Sequence, residues 1–172
     1  MISPSESTIV EHDVEGGESP LDADEVTASR ALDRLITARL AEHDLRFTTR
    51  RRQLVSALLR TDRPVTLGEL LDLASGTPQS SAYRNLALLE EAGVVRRLVH
   101  AGVDAHFELA EDLMGHHHHL ICGSCGVVED FTLPAEIERA LRRAFDSITE
   151  DTRFEAFRHA VDIYGRCSTC PS

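Results

Sequence analysis

No lysine and no tryptophan occur in this chain, aromatic residues are few, and no apolar run approaches the roughly 18 to 20 residues that a membrane-spanning helix needs. The absence of lysine means that every fixed positive charge is a guanidinium, suited to bidentate contacts with phosphates or base edges. The N-terminus, MISPSESTIVEHDVEGGESP, has neither the basic nor the apolar region of a signal peptide. With no span and no export signal we read the chain as cytoplasmic, with no membrane partner. In a reducing compartment its four cysteines point to metal or redox chemistry rather than to disulfides.

The formal net charge of -11 argues against a polyanionic partner, but its distribution argues otherwise. Residues 1–24 hold seven acids and no base. Residues 25–100 hold nine acids and twelve arginines, and residues 101–172 hold thirteen acids and six arginines. Only the middle segment is basic, so a nucleic-acid hypothesis belongs there.

The same divisions appear in the texture of the chain. Residues 1–24 are polar, with Gly and Pro and few large apolar residues, and read as a disordered acidic tail. Residues 25–110 read as a first domain. Ala31, Leu32, Leu35, Ile36 and Leu40 recur at helical spacing, and TTRRRQLVSALLRT offers Thr48 or Thr49 as cap to a second helix. TLGELLDLAS repeats the device with Thr66 as cap and Gly76 beyond its end. TPQSSAYRNLALLEEAG is a fourth helix that stops at Gly93. VVRRLV and DAHFELA then form a hairpin turning at residues 100–102. Short helices closed by a hairpin outline a winged helix-turn-helix whose fourth helix is the recognition helix.

Residues 111–115 read as a hinge and residues 116–172 as a small α/β unit, making the fold class α+β. HHHHLIC and GVVEDFTL look like strands around a Cys-Gly-Ser-Cys turn. Pro134 opens a helix, and FEAFRHAVDIYGRC alternates like a third strand.

The strongest motif is Cys122-x-x-Cys125 followed, after 41 intervening residues, by Cys167-x-x-Cys170. Two thiolate pairs on two tight turns complete the tetrahedral four-sulfur shell of a closed, structural zinc site. A thioredoxin-like redox pair belongs at a strand-to-helix junction, whereas both pairs here follow strands. The full thiolate shell has no room for imidazole, so the His116–His119 run needs its own account. Alternation on a strand sends His117 and His119 to one face and His116 and His118 to the other, so one run can serve two sites. Imidazole suits zinc, iron and nickel alike and does not name the metal. In the proposed recognition helix, Ser80, Ser81, Tyr83 and Arg84 lie near the start, where side chains meet bases and phosphates, and Arg50, Arg51 and Arg52 cluster at the start of the second helix.

With these residues in view, the chain resembles the ferric uptake regulator family of metal-dependent bacterial repressors. AYRNLALLEEAGVV is similar to its recognition-helix signature, HFELAEDLMGHHHHLICGSCG to its hinge and metal segment, and HAVDIYGRCSTC to its C-terminal end. The resemblance covers roughly residues 40–172 and implies a homodimer on a palindromic double-stranded operator, with a winged helix and a C-terminal α/β dimerisation domain. It implies Cys122, Cys125, Cys167 and Cys170 as structural zinc ligands, and Glu108, His117 and His119 as regulatory ligands at the hinge. It also implies a second site from His116, His118 and His159, with Glu138 or Glu136 as its acid. The chain departs from iron-sensing members at Arg63 and Pro64, where those usually carry a histidine, and from many zinc sensors at Leu109 and Arg96. His106 or His100 from the wing is the expected fourth hinge ligand.

The sequence thus predicts a zinc-responsive repressor of metal-uptake genes and no enzyme. An iron(II)- or manganese(II)-responsive regulator is the alternative. A zinc-dependent hydrolase using His117, His119 and Glu108 is more remote, because no helical His-Glu-x-x-His arrangement accompanies them.

Overall fold

The computed structural model describes residues 23–74, 76–100 and 104–171. The acidic tail therefore lies outside the described residues except for its last two, which open the first helix. The N-terminal unit runs α1 (Ala23–Glu42), α2 (Thr49–Leu58), β1 (Val65–Thr66), α3 (Leu67–Leu73), α4 (Gln79–Glu91), β2 (Val95–Leu98) and β3 (His106–Leu109). The apolar stripes of its helices meet in one core that includes Ile36 and Leu40 from α1, Leu54 and Leu58 from α2, Leu70 from α3, and Leu86 and Leu89 from α4. Each such side chain contributes about 1.5–3 kcal/mol by leaving water.

Local chemistry sets the boundaries. Thr66 and Glu69 form a reciprocal capping box on α3, with the Thr66 hydroxyl accepting from the Glu69 N–H and the Glu69 carboxylate accepting from the Thr66 N–H. Thr48 occupies the N-cap of α2, but its side chain makes no cap bond. Gly76, between α3 and α4, and Gly93, after α4, adopt the positive φ that other residues resist. The wing is a three-stranded sheet in the order β1-β3-β2 rather than a two-stranded hairpin. The added strand is the short β1, which pairs Val65 with Phe107 and is too brief to give a periodic signal.

The segment expected as a hinge contains one turn of helix, α5 (Glu111–Met114), ended by Gly115 at φ 98. Beyond it come β4 (His118–Cys122), β5 (Val128–Phe131), α6 (Ala135–Thr152) and β6 (Asp162–Gly165). These make a second sheet in the order β5-β4-β6, with β4 antiparallel to β5 and parallel to β6. The third strand is much shorter than the alternation of residues 154–167 suggests. Residues 154–161 are irregular, and Phe154 and Phe157 point outward, the latter 88% exposed. Among the described residues no helix is long and apolar enough to cross a membrane. The chain is thus an α+β protein, a winged helix-turn-helix followed by a small α/β unit.

Candidate metal centres and nucleic-acid face

The turn after β4 carries Cys122 and Cys125, and parallel pairing with β6 brings Gly165, and hence Cys167 and Cys170, alongside. The Cys122 N–H donates to the Val127 carbonyl and closes the first turn, and the Gly123 N–H donates to the Gly165 carbonyl and the Cys167 N–H to Cys122 Sγ, fixing the two turns against each other. All four cysteines are free thiols whose sulfurs lie within 4.8 Å of one another. Their contacts are 3.8 Å for Cys122–Cys170, 3.5 Å for Cys125–Cys167 and 3.6 Å for Cys167–Cys170. Four sulfurs held about 2.3 Å from one zinc ion stand roughly 3.8 Å apart, so the donor set fits that ion.

The electrostatics agree with this fit. Backbone N–H groups of Cys125, Cys167 and Ser124 pull the Cys122 thiol down to about 5, and the Thr169 hydroxyl leads the contacts that lower Cys167. The Val127 amide works to lower Cys125, but the sulfurs of Cys122 and Cys167 outweigh it and raise that thiol. Cys170 is pushed up to about 12 by the sulfurs of Cys167 and Cys125. Four thiolates at this spacing repel, and a divalent cation at their centre offsets that repulsion.

A second cluster joins Glu108, His117, His119 and Asp130, whose donor atoms also lie within 4.8 Å. Glu108 comes from wing strand β3, and the other three belong to the C-terminal unit. Glu108 Oε2 lies 3.2 Å from His117 Nε2 and 3.3 Å from His119 Nε2. Each ring is anchored through its other nitrogen, His117 Nδ1 on the Gly115 carbonyl at 2.9 Å and His119 Nδ1 on Asp162 at 3.2 Å. A nitrogen that donates to oxygen leaves the lone pair of the neutral ring on Nε2, facing the cluster. Burial works to raise the Glu108 pKa, but with no cation present the His119 and His117 rings, when protonated on both nitrogens, donate to it, and together with the charge of Arg96 they hold it below the ordinary range. Burial works to lower the His119 pKa, and the hydrogen bond and charge of Glu108 raise it instead.

The third cluster is His116, His118, Glu138 and His159. His116 Nε2 and His159 Nε2 each lie 3.3 Å from Glu138 Oε2. These three buried atoms converge without a hydrogen bond among them, an arrangement that a cation satisfies. His116 Nδ1 is held by Glu111, which again turns Nε2 inward. His118 differs: its Nδ1 accepts from the Val161 N–H at 3.2 Å, so a neutral ring carries its proton on Nε2 and donates to Glu138 Oε1 at 2.7 Å. It can ligate through Nε2 only by giving up that arrangement.

A model of the ferric uptake regulator family matches residues 42–164. The ferric uptake regulation protein of Campylobacter upsaliensis is 31% identical over 137 residues, which cover 76% of this chain and 83% of that protein. The chain belongs to the ferric uptake regulator family. Its relatives also include the peroxide-responsive repressor of Staphylococcus aureus, 28% identical over 139 residues, covering 77% of this chain and 87% of that one. The crystal structure of the Vibrio cholerae ferric uptake regulator superposes with a TM-score of 0.58 at 27% identity, covering 74% of this chain and 96% of that one.

Several residues expected at family sites lie elsewhere. His106 stands apart from the Glu108 cluster, with its Nδ1 on the Asp104 carbonyl at 2.8 Å. His100 is likewise outside it, facing Tyr164 with Nδ1 3.0 Å from the phenol oxygen. Asp130 takes the fourth position instead. Its signal was available in the sequence, since counting back along the strands from the Cys122–Cys125 turn sets Asp130 opposite His119. Glu138 rather than Glu136 joins the second histidine cluster, and Glu136 is exposed. Glu111, Asp162 and Arg96, which hold ligands from behind, carry no local sequence signature.

On the helix-turn-helix face, Ser80, Tyr83 and Arg84 are exposed on α4 and Ser81 is half-buried. Arg50 donates to the Ser81 hydroxyl at 2.8 Å, tying α2 to the start of α4. Arg51 turns inward, buried and bonded to Asn85 and to the Arg46 carbonyl, and so does not share the exposed face expected of it. Arg52 pairs with Asp33 and lies over the Phe47 ring.

Proposed function

We propose that this chain is a cytoplasmic, homodimeric, metal-responsive DNA-binding repressor, with zinc as the sensed ion and metal-uptake genes as its targets. The observation that carries the reading is the hinge cluster, because it draws one ligand from the wing and three from the C-terminal unit. Bound there, a divalent ion supplies the positive charge that holds four donors to one point. Glu108 then fixes the wing against β4, and the angle between the two recognition helices of a dimer matches two half-sites of a palindromic duplex. Without that charge Glu108 and Asp130 repel each other across the cluster, and the wing is freer to move.

Cys122, Cys125, Cys167 and Cys170 hold a structural zinc that ties β4 to the end of the chain and leaves no open position for substrate. His116, Glu138 and His159 form a further site, with His118 joining it once its proton is displaced. Ser80, Ser81, Tyr83, Arg84 and Arg50 face DNA. The dimer is supported by α6, which buries none of its described side chains and exposes Ile137 and Ile148, beside the outward-facing Phe154 and Phe157. Zinc is favoured because the hinge has two imidazoles and four ligands in all, whereas iron(II) or manganese(II) prefers more oxygen donors.

The test is a titration of operator binding by protein carrying only its thiolate-bound zinc, against buffered zinc, iron(II) and manganese(II). Zinc should restore binding at the lowest free concentration. His117→Ala should remove the response, a loss of about 5- to 150-fold in metal-induced affinity, while leaving the thiolate-bound zinc in place. An unchanged response in His117→Ala removes this cluster from sensing, and restoration at lower free iron(II) or manganese(II) replaces zinc as the sensed ion.

A further inference from the structure

The hinge cluster includes a fixed positive charge. Arg96 on β2 stands opposite Glu108 in the antiparallel wing sheet, and its Nη1 lies 3.2 Å from Glu108 Oε1, a charge pair to a buried oxygen that accepts no hydrogen bond. The same nitrogen lies 3.9 Å from Glu111 Oε2, and the other Glu111 oxygen holds His116. The guanidinium is 17% exposed and Glu108 is 7% exposed, so the pair is shielded from solvent and is screened far less than a surface ion pair. The two Glu108 oxygens therefore have different duties. Oε2 faces the Nε2 atoms of His117 and His119, and Oε1 faces Arg96.

We propose that Arg96 is a specificity-determining residue of the hinge cluster: by holding Glu108 Oε1 it limits that carboxylate to one donor atom and biases the shell toward the low coordination number that suits zinc. The proposal rests on the reading of this cluster as the sensing site. With Oε1 engaged, the cluster offers two imidazole nitrogens, one Glu108 oxygen and the Asp130 carboxylate. Zinc accepts four such ligands, whereas the harder divalent ions favour six-coordinate, oxygen-rich shells. Arg96 also offsets one of the two carboxylate charges, which weakens the attraction for ions that bind chiefly through charge. The same Nη1 also stands 3.9 Å from Glu111, so two carboxylates attract the guanidinium to this spot and it is more confined than an exposed arginine.

The experiment uses full-length protein with its thiolate-bound zinc, in a His116→Ala, Glu138→Gln, His159→Ala background that leaves the other histidine cluster a single imidazole and so directs further metal to the hinge. Cobalt(II) is the spectroscopic probe, and affinities for zinc and manganese(II) are measured by competition with chelators. With Arg96 present, hinge-bound cobalt should give the intense visible absorption of a four-coordinate site. Arg96→Ala should give the faint bands of a higher coordination number and raise the manganese-to-zinc affinity ratio by about 10- to 100-fold. Arg96→Lys, which retains a cation beside Oε1, should recover most of the selectivity, an effect that a purely structural cross-strand pair would not produce. Should the alanine variant fail to fold, Arg96→Gln keeps the side-chain length without the charge and carries the same expectation. A wild-type cobalt spectrum together with an unchanged metal ratio in the uncharged variant overturns the proposal. Failure of the underlying reading is separate: cobalt binding in this background would then be indifferent to His117→Ala.

Discussion

The two halves of the molecule are held together by different physics. Among the described residues the N-terminal unit buries seventeen apolar side chains in one core, contributed by four helices and the wing. The cluster in the C-terminal unit consists of Ile121 and Val128 with Leu98 from the wing, and α6 buries nothing among its described side chains. Apolar burial of the first kind suffices for a small domain, whereas the second needs other constraints. Among the described residues, three clusters of His, Cys, Asp and Glu side chains that could hold a metal ion lie in or against the C-terminal unit. The contrast teaches that the N-terminal half carries its own apolar scaffold, whereas the C-terminal half has little apolar core of its own, which fits the proposed metal ions and partner subunit.

The largest expected effect breaks the C-terminal half alone. Cys125→Ser opens the four-sulfur shell, and structural zinc in small domains carries apparent binding energies of about 10–16 kcal/mol. The variant should lose its tightly held zinc and its dimer, seen by metal analysis and sedimentation velocity, while amides of α2 and α4 stay protected from hydrogen exchange. Loss of protection in those helices would merge the two halves into one cooperative unit.

The converse variant is Leu86→Ala, which removes a side chain 1% exposed at the centre of the N-terminal core. It should cost about 2–5 kcal/mol in urea unfolding of the winged helix and leave zinc content unchanged. The smallest effect sharpens the comparison within the scaffold. Arg84→Ala, on an exposed face of α4, should weaken operator binding by about 1–3 kcal/mol without altering stability or zinc content.

The two halves also differed in how much of them the sequence revealed. Helical periodicity, the Thr66 cap and the glycines at positions 76 and 93 marked the N-terminal elements, because each reflects a local rule. The cysteine pairs marked the structural site for the same reason, since their spacing alone satisfies a tetrahedral shell. Asp130 was missed because its role depends on strand register across a turn rather than on neighbours in sequence. Asp162 was missed because it meets His119 only through the pairing of β4 with β6, Arg96 because its partner Glu108 lies across the wing sheet, and Glu111 because an acid five residues from His116 carries no signature of its own. Arg51 misled for a related reason: a run of three arginines looks like one charged face, but on a helix successive residues are turned about 100° apart, and the middle one points into the protein. His118 shows the limit of alternation, which assigned it a side of the strand correctly but not the direction of its proton.

The most direct test of the account is the operator affinity of protein with its thiolate-bound zinc intact, measured across buffered free zinc for the wild type and Glu108→Ala. Glu108 is the one hinge-cluster residue that belongs to the wing. The account predicts that wild-type affinity rises by about 5- to 150-fold over the titration and that the variant stays flat near the zinc-free value. A Glu108→Ala protein that gains affinity along the wild-type curve would contradict it, because zinc would then act without tying the wing to the C-terminal half.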